Sequence, residues 1–108
     1  MKNAAKTLHA DTGWEAVHGQ RVLMKTFIQR IIDALSKLEA SGDHPFARDF
    51  QTYFRNAIAR LDRFEINQPE GIQELAAFMT QIENVATTFL TLLEQAKLIE
   101  PIDRIGDV

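Results

Sequence analysis

Cysteine is absent from this chain, which excludes disulfides, thiolate nucleophiles, cysteine-ligated zinc and iron–sulfur clusters at once. Long apolar runs are absent as well. The most apolar stretch, Leu75 to Leu93, is interrupted by Thr80, Gln81, Glu83, Asn84, Thr87, Thr88 and Thr91, whereas a membrane span needs about 18 or more nearly uninterrupted apolar residues. The first twelve residues include Lys2, Lys6 and Asp11 and lack the apolar run of about 7–15 residues that a secretory signal requires. The expected location is therefore cytoplasmic, without membrane attachment. Catalytic signatures are missing too: there is no Gly-rich phosphate loop, no Gly-x-Ser-x-Gly and no His-Glu-x-x-His. A non-enzymatic protein without catalytic residues or cofactor is the expectation. No run of alternating β-branched residues suggests a strand, and no internal repeat or low-complexity segment is visible.

What remains is a chain of 108 residues, 45% hydrophobic and 25% charged. That composition lies far from the disordered regime, and the length suits one core of ordinary size. One domain spanning 1–108 is expected, with tails at 1–11 and 101–108. The net charge of −3 is unevenly spread, at +2 over residues 1–40, +1 over 41–64 and −6 over 65–108. An acidic last third argues against a broad surface for nucleic acid or anionic lipid, since phosphate binding needs clustered cations in excess.

Apolar periodicity predicts three helices, at about 13–41, 44–65 and 68–99. Thr12 and Glu15 have the spacing of a capping box, which places the first helix start near Gly13. Trp14, Val17, Met24, Ile28, Ile31, Leu35 and Leu38 then advance in steps of three, four or seven along one face. Gly42 suits the left-handed position that ends the helix. Asp43-His44-Pro45 opens the second helix, whose stripe is Phe46, Phe50, Tyr53, Phe54, Ala57, Ile58, Leu61 and Phe64. Five aromatics in about 20 residues predict core rather than a ligand cage. Asn67, Pro69 and Glu70 repeat the start signal as N-cap, first-turn Pro and third-position acid. The third helix carries apolar residues from Ile72 to Ala96, Leu92 among them, over roughly 160° of its circumference, so it must touch at least two partners. Gly19 and Gly71 fall inside helices, where Gly costs about 1 kcal/mol relative to Ala; a close crossing, a kink or a fraying turn would account for Gly19. Pro101 ends the helical pattern, and Ile102, Ile105 and Val108 recur every third residue of the tail, which is expected to dock in part.

The architecture these elements predict is an all-α antiparallel bundle of three long helices, with room for a short extra N-terminal helix through Ala4, Ala5 and Leu8. At about 1.5 Å per residue the first and third helices overhang the second. A homodimer joined through the first and third helices would cover the apolar surface so exposed.

Several constellations carry possible chemistry. Glu15 and His18 have the Glu-x-x-His spacing of di-iron carboxylate bundles, but no second pair exists and Glu15 is explained by capping. No metal site is expected there, and His9 and His44 have no helical spacing to His18. Arg21 lies on the apolar stripe between Val17 and Met24, where a charge must snorkel, find an acid of the third helix or of a second subunit, or bind an anion. Arg48, Arg55 and Arg63 share the outer face of the second helix, flanked by Asp49 and Asp62 and without interleaved aromatics, as on a solvated charged face. Thr80, Gln81, Asn84, Thr87, Thr88, Thr91 and Gln95 make the outer face of the third helix nearly uncharged, a composition typical of a contact surface. The leading expectation is a helical protein–protein interaction module of adaptor, chaperone or inhibitor type, acting as a homodimer and binding a partner protein through Thr80, Asn84, Thr87, Thr91 and Arg21. Two alternatives stand behind it: an anion- or metal-binding regulator centred on Arg21, His18 and Glu15, and a nucleic-acid-associated protein using Arg48, Arg55 and Arg63.

Overall fold

The computed structural model describes residues 2–42 and 44–104, with side chains from Glu15 onward. It contains three helices, α1 (Lys2–Ala40), α2 (Phe46–Arg63) and α3 (Pro69–Gln95), and no strand among the described residues. Cross-helix contacts define an up–down–up bundle. Lys25 meets Asp62 at 2.7 Å near one end of the α1/α2 pair and Arg48 meets Glu39 at 2.9 Å near the other. Phe50 stacks on Phe89 and Phe64 lies beside Phe78, which runs α3 antiparallel to α2.

The three periodic stripes converge as hydrophobic burial requires. Ile28, Ile31 and Leu35 of α1, Phe54 and Leu61 of α2, and Leu75 and Leu90 of α3 are the largest fully enclosed side chains. Phe27 and Ile32 are also buried; they flank the first-helix stripe and widen it, because α1 faces two helices rather than one. The aromatic stripe of α2 is core only in part. Phe54 is fully enclosed, Phe46, Phe50 and Phe64 are half-buried, and Tyr53 is exposed.

The start of each helix corrects the predicted one. Helix α1 starts at Lys2, not near Gly13, so residues 2–11 of the expected tail and the extra N-terminal helix through Ala4, Ala5 and Leu8 are both part of α1. A Gly costs a helix only about 1 kcal/mol, so Gly13 is no stop signal, and a Thr-x-x-Glu pattern inside a continuing helix has no free N–H to cap. Helix α2 starts one residue after Pro45, and α3 has Gln68 rather than Asn67 at its N-cap, with Pro69 at the first position; neither start has a side-chain cap. At about 1.5 Å per residue α1 is about 58 Å long, close to the molecule's 61 Å long dimension. At 27 residues α3 is about 40 Å long and at 18 residues α2 is about 27 Å, so α1 and α3 both outreach α2, α1 by the most.

Backbone chemistry closes the helix ends. Gly42 has φ 90° and its N–H reaches the Glu39 carbonyl at 3.0 Å, the left-handed stop expected after α1. Helix α3 ends sooner than predicted, at Gln95, because Lys97 turns left-handed at φ 60°. The Leu98 N–H then bonds Leu93 O at 2.9 Å and the Lys97 N–H bonds Glu94 O at 3.0 Å, the pair of bonds that defines a Schellman stop. At Gly71 a Cβ would collide with the carbonyl oxygen of Glu65; only glycine lets the α2–α3 loop lie against the first turn of α3. The close approach is therefore at Gly71, whereas the Cβ position of Gly19 has nothing within 4 Å.

Among the described residues one buried polar side chain interrupts the core. Gln51 is 3% exposed, and its amide donates to Glu39 Oε1 at 2.7 Å while its carbonyl accepts from Arg55 at 3.2 Å. Arg48 Nε donates to the other Glu39 oxygen at 2.9 Å. These bonds tie the last turn of α1 to the first half of α2, and they hold the Glu39 carboxyl below its ordinary pKa, chiefly through Arg48 and then Gln51.

Candidate interaction surface

The nearly uncharged strip of α3 lies opposite its core face, as its sequence predicts. Thr80 and Asn84 are exposed, while Thr87 and Thr91 are half-buried. The hydroxyls do less polar work than their number suggests. Thr80 donates to the Ala76 carbonyl at 3.1 Å and Thr91 to the Thr87 carbonyl at 2.8 Å, so each spends its donor on its own helix and offers a methyl group alongside.

Beside this strip stands an apolar ridge that the sequence reading assigned to the core. Leu92 is 60% exposed and Tyr53 is 40% exposed. They flank a stack of Phe50 on Phe89, with ring centroids 4.2 Å apart and planes 20° from parallel, and Tyr53 meets Phe50 edge-on at 6.5 Å. Leu92, Thr88 and Asn84 follow one another at four-residue spacing, so ridge and strip are continuous. The unusual width of the third helix's apolar arc was the available signal, because an arc wider than its core contacts leaves an edge outside.

Arg21 sits elsewhere. Its Nη1 donates to the carbonyls of Leu61 at 3.0 Å and Phe64 at 2.9 Å, and its Nη2 lies 3.3 Å from His18 Nδ1. A guanidinium only donates, so Nδ1 is the acceptor in that contact. The charge on the apolar stripe is accounted for by the C-terminal end of α2, whose last carbonyls have no helical partner and carry the negative end of the helix dipole. Arg21 therefore does not share a surface with Thr80, Asn84, Thr87 and Thr91. Glu15 is exposed, and among the described residues no group of three or more His, Asp or Glu side chains is placed to hold a metal ion. The side chain of His9 lies outside the described residues.

The arginine face of α2 is partly occupied. Arg48 is paired with Glu39 and Arg55 bonds Gln51, while Arg60 lies over the rings of Phe78 at 4.5 Å and Phe64 at 5.9 Å. Arg63 is exposed. A cleft of about 530 Å³ beside Arg60 and Arg63 also carries Glu65, Glu70 and Glu74. A second cleft, of about 840 Å³, lies between the C-terminal half of α1 and the segment that follows α3, and mixes Arg30, Lys37 and Lys97 with Asp33, Glu94 and Asp103. Neither offers charge of one sign.

The described part of the tail is docked. Glu94 accepts from both Nη atoms of Arg104, at 2.9 and 2.8 Å, and from the Ile102 N–H at 2.9 Å. This bidentate pair folds Pro101–Arg104 back beside α3 and, through the Arg104 hydrogen bonds first, holds the Glu94 carboxyl below its ordinary value. Ile102 packs against the core, while Ile105 and Val108 lie outside the described residues.

Among the described residues no helix is long and apolar enough to cross a membrane. Comparison with protein-family models, with curated proteins and with solved structures found no match.

Proposed function

We propose that this protein is a helical interaction module that works by presenting a helix face to a partner protein, and that it acts as a homodimer in doing so. The observation that carries the reading is the ridge of Leu92 and Tyr53 over the Phe50–Phe89 stack, continuous with the uncharged strip through Thr88, Asn84, Thr87 and Thr80. Aromatic side chains together with depletion of charge are the composition of interface centres, and each exposed large apolar residue leaves area whose removal from water is favourable. The reading centred on Arg21, His18 and Glu15 draws no comparable support, because Nη1 of Arg21 is spent on two backbone carbonyls and Nη2 on His18.

Leu92→Arg tests the proposal. Leu92 is mostly exposed, so the variant should melt within a few degrees of the wild type. A protein retained from native extract by the wild type and lost on Leu92→Arg supports a docking ridge. Equal retention by both proteins overturns it.

A further inference from the structure

Helix α1 has one face that no other described part of the protomer covers. Gly19, Val22, Leu23 and Thr26 are all exposed, Val22 at 50% and Leu23 at 58%. They fall at i, i+3, i+4 and i+7, the spacing of a single helix face. Two details make the face unlike an ordinary solvated one. The Thr26 hydroxyl donates to the Val22 carbonyl at 3.1 Å, which leaves its methyl on the face, and the Cβ position of Gly19 opens on empty space. A small residue between larger apolar ones lets another helix approach closely, and nothing among the described residues uses that opening.

The charges at the two ends of this face identify what fits it. Glu15 lies at one end and Arg30 at the other; both are exposed, and neither has an ion-pair partner among the described residues. A two-fold axis passing between Val22 and Leu23 would set a second copy of α1 antiparallel to the first. That operation brings Glu15 of each copy opposite Arg30 of the other, Gly19 opposite Thr26, Ala16 opposite Gln29, and Val22 opposite Leu23. Large apolar residues meet at the centre, Gly19 meets Thr26 on either side, and opposite charges meet at both ends. A parallel pairing would instead oppose Glu15 to Glu15 and Arg30 to Arg30.

The geometry points to self-association through this face: two copies pair antiparallel along α1, centred on Val22 and Leu23 and fixed in register by two Glu15–Arg30 ion pairs. The contact is isologous, as closed two-fold dimers require. This inference specifies the homodimer of the proposed function but stands apart from the Leu92 ridge, which stays free in the pair for a different partner. The seam is short, and interfaces that bury less than about 1,200 Å² in total belong to the weak, transient class. The dimer should therefore dissociate on dilution.

Sedimentation equilibrium of the full chain, at low salt and over a concentration series into the high micromolar range, tests the inference. The wild type should shift from monomer towards dimer mass. Leu23→Asp should remain monomeric at every concentration, with its melting temperature within a few degrees of the wild type because residue 23 is outside the core. Glu15→Arg and Arg30→Glu should each lose at least tenfold in self-association. An equimolar mixture of these two variants should recover it, because in the mixed pair every Arg faces a Glu; the double variant should recover it as well. A monomeric wild type throughout the series overturns the inference, and so does a dimer indifferent to Leu23→Asp. A dimer broken by Leu23→Asp but unaffected by the charge exchanges, or not restored in the mixture, overturns the antiparallel register. If a foreign protein is lost on Leu23→Asp while the wild type alone stays monomeric, a different occupant covers the face and self-pairing is excluded. Leu92→Arg should dimerise like the wild type, so failure of the ridge and failure of this seam are read separately.

Discussion

Arg21 on α1 caps the C-terminal end of α2, its Nη1 donating to the carbonyls of Leu61 and Phe64 at 3.0 and 2.9 Å. A fixed positive charge there satisfies two acceptors at the helix end and opposes the negative end of its dipole. Hydrogen bonds to a charged group contribute about 1.5–3 kcal/mol, reduced here because Arg21 is only half-buried. Arg21→Ala should cost about 1–2 kcal/mol, a fall in melting temperature of several degrees for a domain of this size. Arg21→Lys should recover only part of the loss, because an ammonium lacks the planar fork. A thermal melt of Arg21→Ala that overlays the wild type would show that the bonds contribute nothing.

The Arg21 contact also marks how far the sequence could be read. Helix number, the core stripes and the stop at Gly42 follow from residues within a turn or two of one another, and they were legible for that reason. The Arg21 acceptors lie 40 and 43 residues away and are backbone atoms, identical in every sequence, so no residue pattern announces them. The start of α1 was misplaced because a local capping signal at Thr12 and Glu15 stands inside a helix that nothing interrupts. Leu92 and Tyr53 share the periodicity of the core. Their exposure follows from the relative placement of α2 and α3, which periodicity does not encode, and the same placement leaves Val22 and Leu23 uncovered.

Phe54 is fully enclosed and touches both Tyr53 and Phe89 through ring contacts. Phe54→Ala removes a large buried ring that its neighbours cannot replace, at a typical cost of about 3–5 kcal/mol out of a total stability of about 5–15 kcal/mol. Chemical denaturation should show a large drop in midpoint with secondary structure retained below it. A midpoint unchanged from the wild type would place the centre of the core elsewhere.

The left-handed stops predict changes of opposite sign. Lys97 adopts φ 60°, where a side chain costs about 1–2 kcal/mol. Lys97→Gly removes that strain and gives back part of it as unfolded-state entropy, leaving a net gain of about 0.5–1 kcal/mol. Gly42→Ala imposes the same strain at φ 90° and should destabilise by about 1 kcal/mol or more. Differential scanning calorimetry of the two variants side by side should find one melting above and the other below the wild type.

Acid should weaken the protein through Glu39 and Glu94. Both carboxyls lie below their ordinary pKa of 4.5 in the folded state, so the unfolded chain binds protons first as the pH falls. Their stabilisation is complete above that value and is lost as the pH drops through the depressed folded values. Glu94→Gln removes the Arg104 ion pair at neutral pH and with it one source of acid sensitivity. Melting temperatures from neutral pH down to below 4.5 should therefore fall less steeply for Glu94→Gln than for the wild type. Parallel curves would exclude Glu94 as a contributor.

The strip on α3 allows a finer test of where a partner would rest. Thr87 is half-buried and Thr80 is exposed, yet both belong to the same uncharged face. Thr80→Arg adds a solvated charge and should change stability by no more than about 0.5 kcal/mol. If the partner covers the strip as well as the Leu92 ridge, the same substitution buries an unpaired charge in a desolvated contact, which costs several kcal/mol and weakens binding a hundredfold or more. Thr87→Arg should act in the same direction with a larger loss of stability, because its neighbours already exclude part of the solvent. A titration calorimeter loaded with a partner captured by the wild type distinguishes the outcomes. Loss of binding on Leu92→Arg alone confines the contact to the aromatic ridge, and loss on all three substitutions extends it across the strip. Full affinity in Thr80→Arg and Thr87→Arg would leave the missing charge on α3 without a role in recognition.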